Sequence, residues 1–480
     1  MKNTIKTEVI FESPLIKGAK AKKKKINALV KFSLENKNKT ENRKPLNITY
    51  VIDTSGSMNG FLSYQNNMED VLLGQLYNNN NNNNNSLDPY LNVNKQTTGT
   101  PLTFPNTSPT TPFSPEPTHP VRPVNNNRYG YFNTGKTQLA LVKEAVIHSL
   151  NYLKEEDTIS IVSFDTLSHV LAEGLTIKDK SKIIMIINNL SASGSTNLLA
   201  GWKDGVKCIT NTMSKNSLNR IVLLTDGEVN RLGNENIPEA VRKIKEAGIS
   251  TSAFGVGLSY NEDLLMSIAE NGDGNYYYIK ETGDFKNLFS DEFENVNNIM
   301  AKQVKMCIND ESIILLNEFK KADNFYHLPN ILKNKSLELL ITLSVDLEEY
   351  TAQELTSKKF TIIYQDRDSN ECKENIIINI PVVDKKDKFT NKEVKEKIIL
   401  NEVAKNKQKI AKSLDENNFD HVSELLEKSK FFASGLSGQL QTTALNSLAV
   451  LENSMACKDY KGLRKSSLYD SYNLVRGKER

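Results

Sequence analysis

Between residues 46 and 300 short apolar runs alternate with segments whose apolar positions repeat at helical spacing. LNITYVID (46–53) is an apolar run that stops at Asp53. KTQLALVKEAVIHSLNYLK (136–154) carries Leu139, Val142, Val146, Leu150 and Leu153, the spacing of one helix face. TISIVSFD (158–165) predicts a strand, 178–190 a helix, SASGSTN a loop and 198–213 another helix. RIVLLTDGE (220–228) reads as a buried strand, 239–248 as a helix closed by Gly248, and ISTSAFGVG (249–257) as a strand. NEDLLMSIAENG predicts a helix, GNYYYI (274–279) a last strand, and 284–301 a last helix. This order predicts an α/β fold, a doubly wound, mostly parallel sheet covered by helices on both faces.

The flanks follow a different period. INALVKFSL (26–34), SLELLITLSV (336–345), KKFTIIY (358–364) and ENIIINI (374–380) alternate apolar and polar residues two by two, the pattern of half-buried strands. Residues 1–45 and 303–390 are therefore expected to form one β-sandwich module, with the α/β domain of 46–302 inserted into it. From about 391 to 480 the pattern turns helical and predicts a hairpin or small bundle. Residues 61–134 break the α/β order. They hold eight consecutive asparagines, Asn78 to Asn85, and a Pro/Thr/Ser-rich run. Such a segment buries too little apolar surface to offset chain entropy, so a disordered insert is expected.

Composition narrows the function. The chain has 61 basic and 58 acidic residues, a net charge of +3, which gives no electrostatic case for nucleic acid. The four cysteines, Cys208, Cys307, Cys372 and Cys457, form no CxxC and suggest neither a zinc site nor a disulfide framework. No apolar run approaches the roughly 18 residues of a membrane span, and the N-terminus lacks the apolar core of a signal peptide. A soluble, cytoplasmic protein is expected; its oligomeric state is not specified by the sequence.

Candidate chemistry gathers at strand ends. Asp53-Thr54-Ser55-Gly56-Ser57 follows the first strand directly. In an open parallel sheet, ligands bind just outside the carboxyl ends of the strands. One carboxylate and two hydroxyls in a tight loop are hard oxygen donors, suited to Mg²⁺ or Ca²⁺. Gly194-Ser195-Thr196-Asn197 lies between two helices and offers another hydroxyl. Thr225-Asp226-Gly227 ends the most apolar strand, which puts Asp226 at the same sheet edge.

VIDTSGSM, SGSTNL and VLLTDG resemble the three metal-site loops of the von Willebrand factor A family, over about 46–60 and 135–300. The resemblance implies one divalent ion, Mg²⁺ or else Ca²⁺ or Mn²⁺, at a metal-ion-dependent adhesion site. Ser55, Ser57 and Thr196 would contact it, and Asp53 and Asp226 would hold it directly or through water. It also implies a remaining coordination position that accepts an Asp or Glu carboxylate of a protein partner. The sequence departs from the family where the 61–134 segment separates the first loop from its helix.

A competing enzyme signal is Gly130-Tyr131-Phe132-Asn133-Thr134-Gly135-Lys136-Thr137, which fits the phosphate-cradling pattern GxxxxGK[ST]. Its amides would need a buried strand before them to point at phosphates. THPVRPVNNNRY precedes it instead, rich in Pro and Asn. The basic stretch 17–25 reads as a solvated loop, and the five histidines are scattered. The expectation is a metal-dependent protein-binding module and not an enzyme, with a nucleotide-hydrolysing reading and a purely structural scaffold as alternatives.

Overall fold

The computed structural model describes residues 5–16, 23–34, 43–61, 136–214, 216–227, 237–280, 283–333, 335–346, 357–385 and 389–478. The insert expected over 61–134 lies outside them except for Phe61, as do 130–135 of the phosphate-loop pattern and 17–22 of the basic stretch.

Three strands open the chain: β1 (Ile5–Phe11), β2 (Leu15–Ile16) and β3 (Lys23–Leu34). The α/β unit follows with β4 (Leu46–Asp53), α1 (Gln138–Ser149), β5 (Thr158–Phe164), β6 (Ser168–Thr176), α2 (Lys180–Asn188) and α3 (Leu198–Thr212). It continues with β7 (Leu218–Thr225), α4 (Ile237–Glu246), β8 (Ile249–Val256), α5 (Glu262–Asn271), β9 (Tyr276–Ile279) and α6 (Asp284–Asn297). Its strands are ordered β6-β5-β4-β7-β8-β9. All neighbours run parallel except β6, which is antiparallel to β5, so the sheet is mixed.

Strand β4 is buried along its whole length because helices cover both faces. Ile48, Tyr50 and Ile52 enter one apolar cluster with α1, α2 and α6. Val51, one position out of phase, enters a second cluster with α3, α4 and α5. The period of two in a strand thus distributes one sequence run between two cores.

Two of the helix and strand expectations need correction. The last helix was expected to reach 301 but ends at Asn297. The Asn298 N–H closes it on Glu294 and Asn295 carbonyls, and Ile299 and Ala301 pair with a following strand. The apolar residues 299–301 that suggested a longer helix instead open the strand Ile299–Cys307. Strand β6 had no counterpart in the sequence reading. As an edge strand it exposes His169, Val170 and Leu171 together, so no alternation marks it.

After the unit come β10 (Ile299–Cys307), β11 (Ile313–Leu315), β12 (Lys321–Ala322), β13 (Phe325–His327), β14 (Ile331–Leu332), β15 (Leu337–Asp346), β16 (Ser357–Gln365), β17 (Glu371–Asn379) and β18 (Val382–Val383). One antiparallel sheet is ordered β1-β3-β15-β11; another is ordered β12-β13-β10-β16-β17, with β14 also on β10. Strands β3 and β15 pair from Phe32 opposite Leu337 to Lys23 opposite Asp346, across the whole intervening α/β unit. Both sheets feed one apolar cluster that includes Phe32, Leu339, Ile341, Phe360, Ile362 and Ile378.

The chain ends in four helices, α7 (Lys392–Asp415), α8 (Phe419–Ser434), α9 (Gly438–Ala456) and α10 (Tyr460–Val475). Helix α10 covers the exposed edge of β9. The Tyr472 hydroxyl accepts the Tyr276 N–H at 3.0 Å, and Tyr469 and Tyr472 both meet the Tyr276 ring edge to face. At its other end Lys465 donates to the Tyr260 carbonyl at 2.6 Å and pairs with Glu262. Arg464 bonds Asp263 and Asp415, each at 2.7 Å. Among the described residues no helix is long and apolar enough to cross a membrane.

Helix α3 approaches the sheet unusually closely, and two glycines allow it. A Cβ on Gly201 would lie 2.5 Å from Phe164 Cδ1, and one on Gly205 would lie 2.5 Å from Val51 Cγ2. Gly201 and Gly205 are four apart and share one helix face. Each of Gly201→Ala and Gly205→Ala should overpack this contact and lower stability by about 1–3 kcal/mol, read as a drop in the urea midpoint with unchanged slope.

Candidate metal centre

Strand β4 ends on Asp53 and strand β7 ends on Thr225, its parallel neighbour. Asp53 has no exposed surface. Its Oδ1 accepts the Ser55 N–H at 2.8 Å and its Oδ2 accepts the Thr225 hydroxyl at 2.5 Å. The first bond folds the Asp53–Ser57 loop back on the strand end. The second ties that loop to β7. Ser55 Oγ lies 3.0 Å from Ser57 Oγ, and Ser57 Oγ donates to Asp226 Oδ1 at 2.7 Å.

Thr196 arrives from the third loop. A Cβ on Gly227 would fall 2.7 Å from Thr196 Oγ1 and 2.8 Å from its Cγ2. Only glycine beside Asp226 leaves room for the threonine. Backbone bonds fix the loop around it: Gly56 N–H to Gly194 O at 3.0 Å, Ser193 N–H to Thr54 O at 2.8 Å, and Asn197 N–H to Asp165 O at 2.7 Å. Asn197 also caps α3, its side chain accepting the Ala200 N–H. Asp53, Ser55, Ser57, Thr196 and Asp226 thus meet at one end of the sheet, at the carboxyl ends of its strands.

Three residues support the site in ways the sequence did not indicate: Thr225 and Gly227, which it marked only as flanking Asp226, and Thr166, which it did not mark. Thr225 holds Asp53 and also accepts the Gly227 N–H at 3.2 Å. Gly227 makes room for Thr196. Thr166, in the β5–β6 turn, accepts the Ser195 N–H at 3.0 Å. A polar Thr closing the apolar run IVLLT was the one available signal.

The electrostatics of this cluster are unbalanced. Asp226 is 2% exposed, and neither it nor Asp53 pairs with a lysine or arginine among the described residues. Burial, and then the Asp53 charge, push the Asp226 carboxyl up to about 7 against the opposing hydrogen bond from Ser57. Burial likewise raises Asp53, against bonds from Ser55 and Thr225. Two desolvated carboxylates, held by hydroxyls and backbone N–H groups with no paired lysine or arginine among the described residues, form a hard-oxygen set that suits a divalent cation and fits poorly with a bare anionic state. No group of three or more His, Cys, Asp or Glu side chains able to hold a metal occurs among the described residues. The hydroxyls are therefore integral to this donor set.

The phosphate-loop pattern places its described residues elsewhere in function. Lys136 is exposed and pairs with Glu144 at 2.5 Å. Thr137 caps α1 by accepting the Ala140 N–H. A helix cap and a surface ion pair account for both.

The sequence profile of the von Willebrand factor type A domain matches residues 133–291, so the chain contains such a domain. Strand β4 and the Asp53 loop precede that match and complete the same sheet. Uncharacterized protein YfbK of Escherichia coli (strain K12) is 34% identical over 172 residues, covering 35% of this chain and 30% of that protein. Calcium-activated chloride channel regulator 1 of Bos taurus is 22% identical over 285 residues, covering 57% of this chain and 30% of that protein. The chain thus spans under a third of either relative. Among solved structures, the ArnB paralog VWA2 from Sulfolobus acidocaldarius aligns over 99% of both chains with a TM-score of 0.52 at 12% identity. A von Willebrand factor type A protein from Catenulispora acidiphila aligns over 93% of this chain and 89% of its own, with a TM-score of 0.57 at 12% identity. This likeness is one of fold, and it extends to the flanking strands and helices.

A pH dependence follows from the raised Asp226. Its unfolded carboxyl titrates near 3.8 and the folded one near 7. Between these values the folded state alone keeps the proton, so stability of the chelator-treated protein should fall as pH rises, then level off. The loss should reach roughly 2–4 kcal/mol and be largely absent in Asp226→Asn. Urea midpoints of the two proteins across this window measure the difference.

Proposed function

We propose that this chain is a metal-dependent protein-binding module, in which Asp53, Ser55, Ser57, Thr196 and Asp226 hold one divalent ion and a partner supplies an Asp or Glu carboxylate to it. The observation that carries this reading is the convergence of two buried carboxylates, paired with no lysine or arginine among the described residues, with three hydroxyls at the carboxyl end of the sheet. Von Willebrand factor type A domains often mediate protein–protein interaction and often bind a metal at this kind of site, which supports the assignment.

Ser55, Ser57 and Thr196 would contact the ion, with Asp53 and Asp226 beside it or bridged to it by water. Mg²⁺ suits an all-oxygen set of this kind; Ca²⁺ and Mn²⁺ are the other hard cations it would accept. When bound, the ion supplies a charge that two carboxylates and neutral hydroxyls do not fully screen, and so an affinity for an acidic side chain. The protein's own part is to hold the hydroxyls in place, through the Asp53–Thr225 bond and the seat beside Gly227.

We read the molecule as a binding protein and not an enzyme. The N- and C-terminal flanks, joined within one sheet by the β3–β15 pairing, read as a β-sandwich into which the α/β domain is inserted. All four cysteines are free thiols, in keeping with a reducing, cytoplasmic location.

Calorimetric titration of Mg²⁺ into chelator-stripped protein tests the reading. Saturable binding at one site is expected, abolished in Asp53→Ala and weakened about tenfold or more in Thr196→Ala, with Lys136→Ala unchanged. Binding that persists in Asp53→Ala, or nucleotide binding lost with Lys136→Ala, would overturn it. Capture of acidic-peptide ligands should in turn require the ion.

A further inference from the structure

A second cavity lies at the opposite end of the α/β sheet. It has a volume of about 680 Å³ and is walled by the amino end of β7, the α5–β9 turn, the β10–β15 segment and the end of α10. Arg220 opens β7 on this side while Asp226 follows its far end. At roughly 3.3 Å per residue the two sites are about 20 Å apart along that strand. The space suits a small molecule and exceeds the need of a single inorganic ion.

Basic side chains outnumber acidic ones around this cavity, and several lack a carboxylate partner. Lys478 Nζ rests 3.3 Å from Asn275 Oδ1, and Lys320 Nζ 3.0 Å from Asn271 Oδ1. Those two asparagines bracket the turn that carries Asp273 and Gly274, so the two ammonium groups are tethered by neutral amides on either side of one turn. Lys245 is 7% exposed and has the buried Asp273 carboxylate as its nearby counter-charge. Two nearby carboxylates are paired, Glu338 with Lys397 at 2.9 Å and Glu270 with Arg476; the buried Asp273 accepts the Gln303 N–H at 3.2 Å and offsets Lys245. Asp291 and Glu294 also line the cavity, from α6.

The positive potential registers on neighbouring groups. Burial and then Lys245, Lys305 and Lys320 press His327 down to about 4. Burial and then Arg476 press Lys478 down to about 8, with Lys335 and Arg220 adding to the effect over an opposing pull from Glu292. A buried lysine held by a neutral amide, as Lys478 is by Asn275, is stabilised when an anion completes its surroundings. Lysine acts as a point charge suited to phosphate oxygens, and separate ammonium groups around one space favour a dianion over a monoanion. Phe319, Leu328 and Leu337 supply an apolar wall for the rest of such a molecule.

We propose that this cavity binds a phosphate-bearing small molecule, its phosphate held by Lys320 and Lys478. The site is separate from the metal centre and does not depend on its function.

The test is calorimetry on the full chain, stripped with chelator, using inorganic pyrophosphate and glucose 6-phosphate as probes and citrate as a polycarboxylate arm. Saturable binding of the phosphate probes is expected, weakened about tenfold or more in Lys478→Met and in Lys320→Met and unchanged in Asp53→Ala. Lys320 is exposed, so its variant retains the fold, and circular dichroism of both variants checks this. Absence of saturable binding at millimolar probe overturns the proposal. So does binding that survives in both lysine variants, or that is lost only in Asp53→Ala. Citrate binding as tightly as pyrophosphate overturns the assignment to phosphate.

Discussion

A carboxylate with no exposed surface, at the end of the central strand, is the constraint around which this molecule is arranged. Burying Asp53 is costly unless its oxygens are satisfied. They are satisfied by the backbone of its own loop and by the hydroxyl of Thr225 on the neighbouring strand. The two bonds lock the ends of β4 and β7 in register. They also set Ser55 and Ser57 where Asp226 can join them.

The third loop reaches this point because helix α3 lies close on the sheet. Gly201 and Gly205 remove the Cβ atoms that would hold the helix away from Phe164 and Val51. Asn197 starts the helix, and Thr196 precedes it by one residue, in contact with Gly227. Close packing on one sheet face therefore fixes the position of a hydroxyl at the sheet's edge. A small displacement of α3 would be transmitted there directly, since interiors packed at crystal density do not absorb strain locally.

The two ends of the sheet have opposite electrostatic character. At the carboxyl end, two acids lack a cation among the described residues. At the amino end, Lys320 and Lys478 rest on neutral asparagines and make no ion pair among the described residues. Helix α10 and the β10–β15 segment build the second environment, and α10 also pairs with the edge of β9 through Tyr472. The C-terminal helices and flanking strands thus finish the α/β unit: they cover its edge and complete a cavity it does not enclose alone.

Much of this was legible in the sequence. The alternating periods separated the α/β unit from its flanks, because a strand buried on both faces and a helix with one apolar face leave different spacings. The proximity of Asp53, Ser55, Ser57 and Asp226 followed from their places after apolar runs, since parallel strands bring their carboxyl ends together; Thr196, between two helices, was placed there by its loop's resemblance to the metal-site motif. Strand β6 left no such trace, being half exposed, and the end of α6 was hidden because Ile299, Met300 and Ala301 satisfy a helical pattern and a strand pattern equally. The Thr225 bond to Asp53, the seat of Thr196 against Gly227 and the docking of α10 on β9 were decided only by tertiary structure. Each depends on distances between residues far apart in the chain, which local periodicity does not encode. The amino-end cavity is the extreme case: its walls come from the α/β unit, the flanking strands and the C-terminal helices, and Lys320 and Lys478 meet neutral asparagines there only once those parts are packed together.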